Sequence, residues 1–287
     1  MKMEMGRAPS LRDELFFLLT NRIPRRLVTR AFGRFSQIEQ PAIRDLSLWA
    51  WQRGADLRLH EAKKREFSSL HDCFVRELAP GARPLDLDPE VLVSPCDGIV
   101  GGFGKVEGVQ LIQAKGFPYT LHDLLVDDAL VAHYRDGSYV TLRLTASMYH
   151  RFHAPHDCTV ERVTYISGDT WNTHPIALER VQKLFCKNER AVVRTTLAAN
   201  GAQITLVPVA AILVASLKLH CLDTLLRLDH KGPNEFACRA RYRKGDEMGW
   251  FQHGSTILVF APRGFALSES IRAGSVVRMG QALLRLP

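Results

Sequence analysis

The sequence predicts an α+β protein in which N-terminal amphipathic helices precede a β-rich core of barrel or sandwich type. Two observations carry this. Up to about residue 80, apolar side chains recur at helical spacing. After residue 90 the alternation is period two, in short runs separated by Gly, Pro, Asn and Asp. A chain of 287 residues, 46% hydrophobic and 24% charged, can bury one large core or a core with a smaller appendage.

The first helix is read from Leu11, Leu15, Leu18 and Leu19, with Phe16 and Phe17 beside them, and is interrupted at Pro24. Leu27, Val28, Ala31, Phe32 and Phe35 mark a second, interleaved with Arg25, Arg26, Arg30 and Arg34. A third is expected from Pro41 through Leu46, Trp49 and Leu57 toward Lys64, and a fourth over 67–78, ending before Pro80 and Gly81. Strands are expected at 139–144, 160–166, 191–197, 204–209, 212–219, 256–260 and 276–279, with helical insertions only at 120–125 and 175–186.

Charge divides the chain unevenly. Residues 1–66 hold fourteen Lys or Arg against eight Asp or Glu, a net +6 of the total +8. Short apolar helices with an arginine-rich flank suit an anionic membrane surface, while a helical cap with a solvated basic face fits the same composition. No recognisable reader motif supports nucleic-acid binding. The N-terminus lacks a secretory pattern and no run of about 18 apolar residues could span a bilayer, so the expected place is the cytoplasmic side. The six cysteines match no zinc spacing and read as reduced thiols.

Three segments could carry chemistry. Ser94-Pro95-Cys96-Asp97-Gly98 places a carboxylate on a turn, although Asp before Gly is ordinary turn chemistry. In Tyr149-His150-Arg151-Phe152-His153-Ala154-Pro155-His156, Pro155 opposes a helix presenting all three histidines to one metal, so no metal is expected. In extended chain His150 and His153 point to opposite sides and would serve different tasks. Gly254 before Ser255 gives backbone freedom beside a nucleophile, or simply a turn entering a strand. Together, Ser255, His153 and Asp97 could form a proton-relay triad.

These segments, with Phe74-Val75-Arg76-Glu77-Leu78-Ala79-Pro80-Gly81-Ala82-Arg83-Pro84, Asn188-Glu189-Arg190 and Lys244-Gly245-Asp246-Glu247-Met248-Gly249-Trp250-Phe251-Gln252-His253-Gly254-Ser255-Thr256, stand in the order of the landmarks of bacterial phosphatidylserine decarboxylases. The chain resembles that family from about residue 67 to its end. The resemblance implies a basic helical membrane-associating region, 1–66, and a catalytic domain, 67–287, with a barrel-sandwich-hybrid core. It implies self-cleavage between Gly254 and Ser255, giving a β chain, 1–254, and an α chain, 255–287, that stay together as a heterodimer; further homo-oligomerisation is left open. Ser255 then becomes a covalent pyruvoyl cofactor that forms a Schiff base with phosphatidylserine, and phosphatidylethanolamine is the product. His153 matches the base for cleavage, Asp97 the residue that orients it, and His150 the proton donor or carboxylate-positioning residue in decarboxylation. The expected location is peripheral, on the cytoplasmic face of the cell membrane, with no nucleic-acid partner.

The chain departs from the family pattern in places. His253 stands where Leu is usual, Cys158 where Gly is usual, and Ala residues occupy 209–216 positions that tend to be Gly. Two rival readings predict different behaviour. A degenerate relative would bind lipid without cleaving, and a serine hydrolase using Ser255, His153 and Asp97 would stay uncut.

Overall fold

The computed structural model describes residues 11–112, 117–213, 216–228, 230–252 and 255–287. The helices α1 (Leu11–Asn21), α2 (Arg25–Phe35), α3 (Pro41–Gly54) and the short α4 (Leu70–Phe74) come first. Strands β1 (Val91–Val93), β2 (Gly98–Lys105), β3 (Gln110–Ile112) and β4 (Pro118–Thr120) lead to α5 (Leu121–Leu125) and α6 (Asp128–Tyr134). Next come β5 (Ser138–Leu144), β6 (Arg151–His153), β7 (Cys158–Ile166), α7 (Pro175–Leu178) and α8 (Leu184–Lys187). The remainder is β8 (Arg190–Leu197), β9 (Gln203–Ala210), β10 (Ser216–Leu219), β11 (Leu225–Arg227), β12 (Glu235–Tyr242) and β13 (Glu247–Phe251), then β14 (Ser255–Ala261), β15 (Ala266–Leu267), β16 (Val276–Val277) and β17 (Ala282–Arg285).

The α+β expectation matches this architecture. Eight antiparallel strands form the main sheet in the order β12-β7-β8-β9-β14-β5-β2-β16. The sheet stays open, with β12 and β16 at its ends, so the core is not a closed barrel. Period-two alternation sorts its side chains onto two buried faces. Ile257 and Val259 of β14 join Phe152, Leu217, Phe251 and Leu284 on the face covered by the smaller β sheets. Leu258 and Phe260 point the other way and pack with Leu124, Tyr134, Ile176 and Leu184 of the helical insertions.

Several element limits differ from expectation. Helix α3 stops at Gly54, where Ala55 turns extended at φ −156°. Helix α4 is a single turn, started by the Ser69 side chain accepting from the Asp72 N–H. The expected strand 212–219 shortens to β10, because Leu213 takes φ +69° in a turn. Helix α6 and strand β12 were not expected.

The helices dock on the rest of the protein through specific contacts. Arg25 bonds the Asp169 carboxylate and lies 3.7 Å over the Trp171 ring. The Leu213 N–H donates to Thr29 Oγ1 at 3.1 Å, and the Asn172 N–H donates to Asn21 Oδ1 at 3.2 Å. Meanwhile Leu11, Leu15, Leu19, Leu27, Leu46 and Trp49 remain exposed. None of the described helices is long and apolar enough to cross a membrane.

Candidate active site

Ser255 begins β14 in the middle of the main sheet, opposite Leu144 on one side and Ala210 on the other. Ala210 is itself held in place, since the buried Asn188 amide donates to its carbonyl at 2.8 Å and to that of Trp171 at 2.8 Å. Upstream, the Gln252 N–H donates to the Ser216 carbonyl and the Phe251 N–H to the His150 carbonyl, both across strand β13's surroundings. The chain is therefore anchored at 252 and again at 255. His253 and Gly254 lie outside the described residues, so the scissile bond expected there does too.

Two of the three histidines of the Tyr149–His156 segment, His150 and His153, find different partners, as alternation requires. His153 is buried, and its Nδ1 lies 2.8 Å from the Gly245 carbonyl. A carbonyl only accepts, so Nδ1 carries the proton and Nε2 accepts from the Tyr149 hydroxyl at 2.9 Å. Burial is the largest influence on His153 and lowers its pKa, only partly offset by its carbonyl partner and by the charges of Glu247 and Asp97. It is a neutral imidazole with a basic Nε2. His150 is fully buried, donates from Nδ1 to the Met148 carbonyl at 2.7 Å, and stacks on Phe74 with ring centroids 3.9 Å apart.

The Asp97 turn lies against the same strand, because the His153 N–H donates to the Pro95 carbonyl at 2.8 Å. The Asp97 carboxylate nevertheless turns to other partners. Arg83 Nε and a terminal guanidinium nitrogen reach it at 2.8 and 2.6 Å, and the Met279 N–H donates to it at 2.9 Å. Arg83 also pairs with Glu61 at 2.8 Å. Asp97 thus joins three parts of the chain, and His153 is oriented by Gly245 and Tyr149. Those two contacts, and Arg83, carry roles that motif reading did not assign. Their signal was their presence inside the recognised segments, but nothing in a string of residues states who bonds to whom.

A cavity of about 590 Å³ borders this site. Phe32, Phe35, Trp51 and Leu70 wall one side, Phe74 backs onto His150, and Leu144 is the strand partner of Ser255. The site combines a serine position at a strand start, two buried imidazoles, and an apolar chamber under exposed helices. Such a set can activate a hydroxyl and move protons on an amphiphilic molecule out of water. Among the described residues no cluster of three or more His, Cys, Asp or Glu is placed to hold a metal. The six cysteines are all unpaired.

The sequence pattern of the family described as phosphatidylserine decarboxylase matches residues 70–285. The phosphatidylserine decarboxylase proenzyme of Aliivibrio fischeri is 32% identical over 285 residues, covering 93% of this chain and 96% of that protein. That of Saccharophagus degradans is 30% identical over 284 residues, covering 96% and 99%. The Myxococcus xanthus proenzyme is 30% identical over 278 residues, covering 95% and 99%.

Proposed function

The chain belongs to the phosphatidylserine decarboxylase family, and we propose that it makes its own pyruvoyl group from Ser255 and uses it to convert phosphatidylserine to phosphatidylethanolamine. The observation that carries this reading is the setting of Ser255: fixed at the start of a central strand, three residues past an anchored Gln252, and paired with Leu144 of the apolar cavity wall.

In the proposed self-cleavage, His153 Nε2 takes the Ser255 hydroxyl proton once the Tyr149 hydroxyl yields that nitrogen. The serine oxygen adds to the Gly254 carbonyl, and the Gly254–Ser255 amide becomes an ester as the proton passes to the serine nitrogen. Loss of the Ser255 α-proton then expels the Gly254 carboxylate and leaves dehydroalanine. Water converts the tautomeric imine to pyruvoyl and ammonia. Asp97 contributes its negative charge near the imidazole and, through Arg83 and Met279, holds the surrounding segments together.

The residues present fit a pyruvoyl group. The backbone of position 255 is held on both sides, Thr256 Oγ1 next to it is buried with no hydrogen-bond partner among the described residues, and the cavity walls are largely apolar. When formed, that group supplies an electron sink for the pair left behind as CO2 departs. His150 holds a proton at Nδ1 against the Met148 carbonyl, so Nε2, after itself taking up a second proton, is the atom that passes that proton to the substrate carbon. Phe74 and Trp51 stack at 5.8 Å and keep water from that side. The test is direct. Purified protein in phosphatidylserine micelles should release phosphatidylethanolamine, and prior treatment with phenylhydrazine should stop it. Product formation untouched by the hydrazine would rule out the carbonyl cofactor.

Residues 255–287 remain bound after cleavage in this reading. They supply β14 at the sheet centre, β16 beside β2 and β17 beside β1. Ile257, Leu258, Val259 and Phe260 are fully buried, each worth about 1.5–3 kcal/mol of apolar burial.

The helical first quarter is the proposed membrane-facing region. Exposed Leu15, Leu19, Leu27, Leu46 and Trp49 accompany exposed Arg22, Arg26, Arg30 and Arg34. Apolar groups entering the interface beside cations that meet anionic headgroups account for that composition. Replacing Leu19, Leu27 and Leu46 together by Ser should lower sedimentation with phosphatidylglycerol vesicles several-fold, and unchanged sedimentation would remove these helices as the docking face.

A further inference from the structure

We propose that Arg143 binds the phosphodiester of the lipid substrate, holding its charged end beside the start of β14; this rests on the decarboxylase reading above. Arg143 lies near the end of β5, directly across from Thr256, and lines the cavity. It is the only Arg or Lys among the described lining residues. It makes no hydrogen bond or ion pair among the described residues. Other inward arginines have partners: Arg83 is held by Asp97 and Glu61, Arg151 by Glu247, and Arg190 by backbone carbonyls of Leu124, Cys186 and Asp123. Arg76, away from this cavity's lining, is held by the carbonyls of Cys73, Leu57 and Ser147, although its Nε stays unpaired among the described residues.

A half-buried guanidinium without a counter-charge is costly, and burial alone, with no carboxylate to oppose it, pushes its pKa down. Such a group is satisfied by an oxyanion that enters with the ligand, and a planar fork favours phosphate or carboxylate oxygens. Phosphatidylserine offers both. Its carboxylate is the group lost as CO2, so pairing it with a guanidinium would stabilise the ground state more than the transition state and slow the reaction. The phosphodiester keeps its charge throughout, and binding it lowers KM without opposing chemistry. Geometry agrees. With the headgroup at Arg143, acyl chains run past Phe32, Phe35 and Trp51 toward the exposed apolar side of α2 and α3.

The experiment compares the full-length protein with Arg143→Gln and Arg143→Lys. Each is titrated with dihexanoyl phosphatidylethanolamine and with dihexanoylglycerol, which lacks the phosphodiester. Arg143→Gln should weaken the phospholipid by roughly ten- to a hundredfold, the usual worth of a hydrogen bond to a charged group, and leave the glycerolipid unchanged. Arg143→Lys should recover part of the loss. No change for either lipid, or an equal loss for both, would overturn the assignment. On phosphatidylserine, Arg143→Gln should raise KM and largely keep kcat, whereas a fall in kcat at constant KM would place the guanidinium on the reacting carboxylate instead. The titration needs no turnover. A wild-type chain that neither cleaves nor decarboxylates would therefore defeat the decarboxylase reading while leaving the Arg143 result legible.

Discussion

Ser255→Ala should yield one 287-residue chain that forms no phosphatidylethanolamine above the blank. Without the hydroxyl there is no internal nucleophile to displace the Gly254 carbonyl, and without cleavage there is no new terminus to carry a carbonyl group. The loss is chemical, not structural. Ser255 pairs through its backbone with Leu144 and Ala210, and alanine keeps that pairing. Unfolding stability should move by no more than about 1 kcal/mol. A Ser255→Ala protein recovered as two chains would show that another residue performs the cut.

His153→Ala should slow self-cleavage by roughly 10²- to 10⁴-fold, the typical contribution of a positioned base. The wild-type rate should also depend on pH in a defined direction. Burial lowers the His153 pKa below its ordinary 6.5, which favours the neutral, basic form. Cleavage should then be level above pH 6.5 and decline only as the pH falls through the lowered value, where the imidazole protonates. The Gly245 carbonyl and the charges of Glu247 and Asp97 pull the pKa upward and Arg151 pushes it down, but burial outweighs them. Cleavage that already fades on acidification from pH 8 to 7 would contradict a neutral buried His153. Quantitative pulse-labelled cleavage across pH 5–9, read on denaturing gels, gives both results.

Much of the fold could be read in the sequence because the signals there are local. Residues of β14 alternate between two buried faces, so Thr256 to Phe260 announce a strand from composition alone. Strand β12, at the sheet edge, alternates differently: only one face turns inward, at Phe236, Cys238, Ala240 and Tyr242, while Glu235, Arg239 and Arg241 occupy its exposed positions. Helix α6 is too short for periodicity to speak, with only Leu130 and Tyr134 fully inward. Even the open sheet follows from register, which single-strand patterns leave undetermined. The site behaves likewise. His150, His153, Asp97 and Ser255 stood out by motif, yet the Asp97–Arg83–Glu61 chain and the Gly245 carbonyl on His153 depend on contacts between segments 14 to 92 positions apart. Arg143 had no sequence signal at all, since an arginine in a strand reads as an exposed residue until the cavity beside it is seen.

Intact-mass measurement on freshly purified wild-type protein bears most directly on whether Ser255 becomes the cofactor. The expected result is two chains, 1–254 and a 33-residue 255–287 fragment, co-eluting in native buffer and separating in denaturant. The short chain should have a blocked terminus that gains the mass of a hydrazone with a hydrazine reagent. A single chain of full mass, or a short chain with a free serine amine, would contradict it.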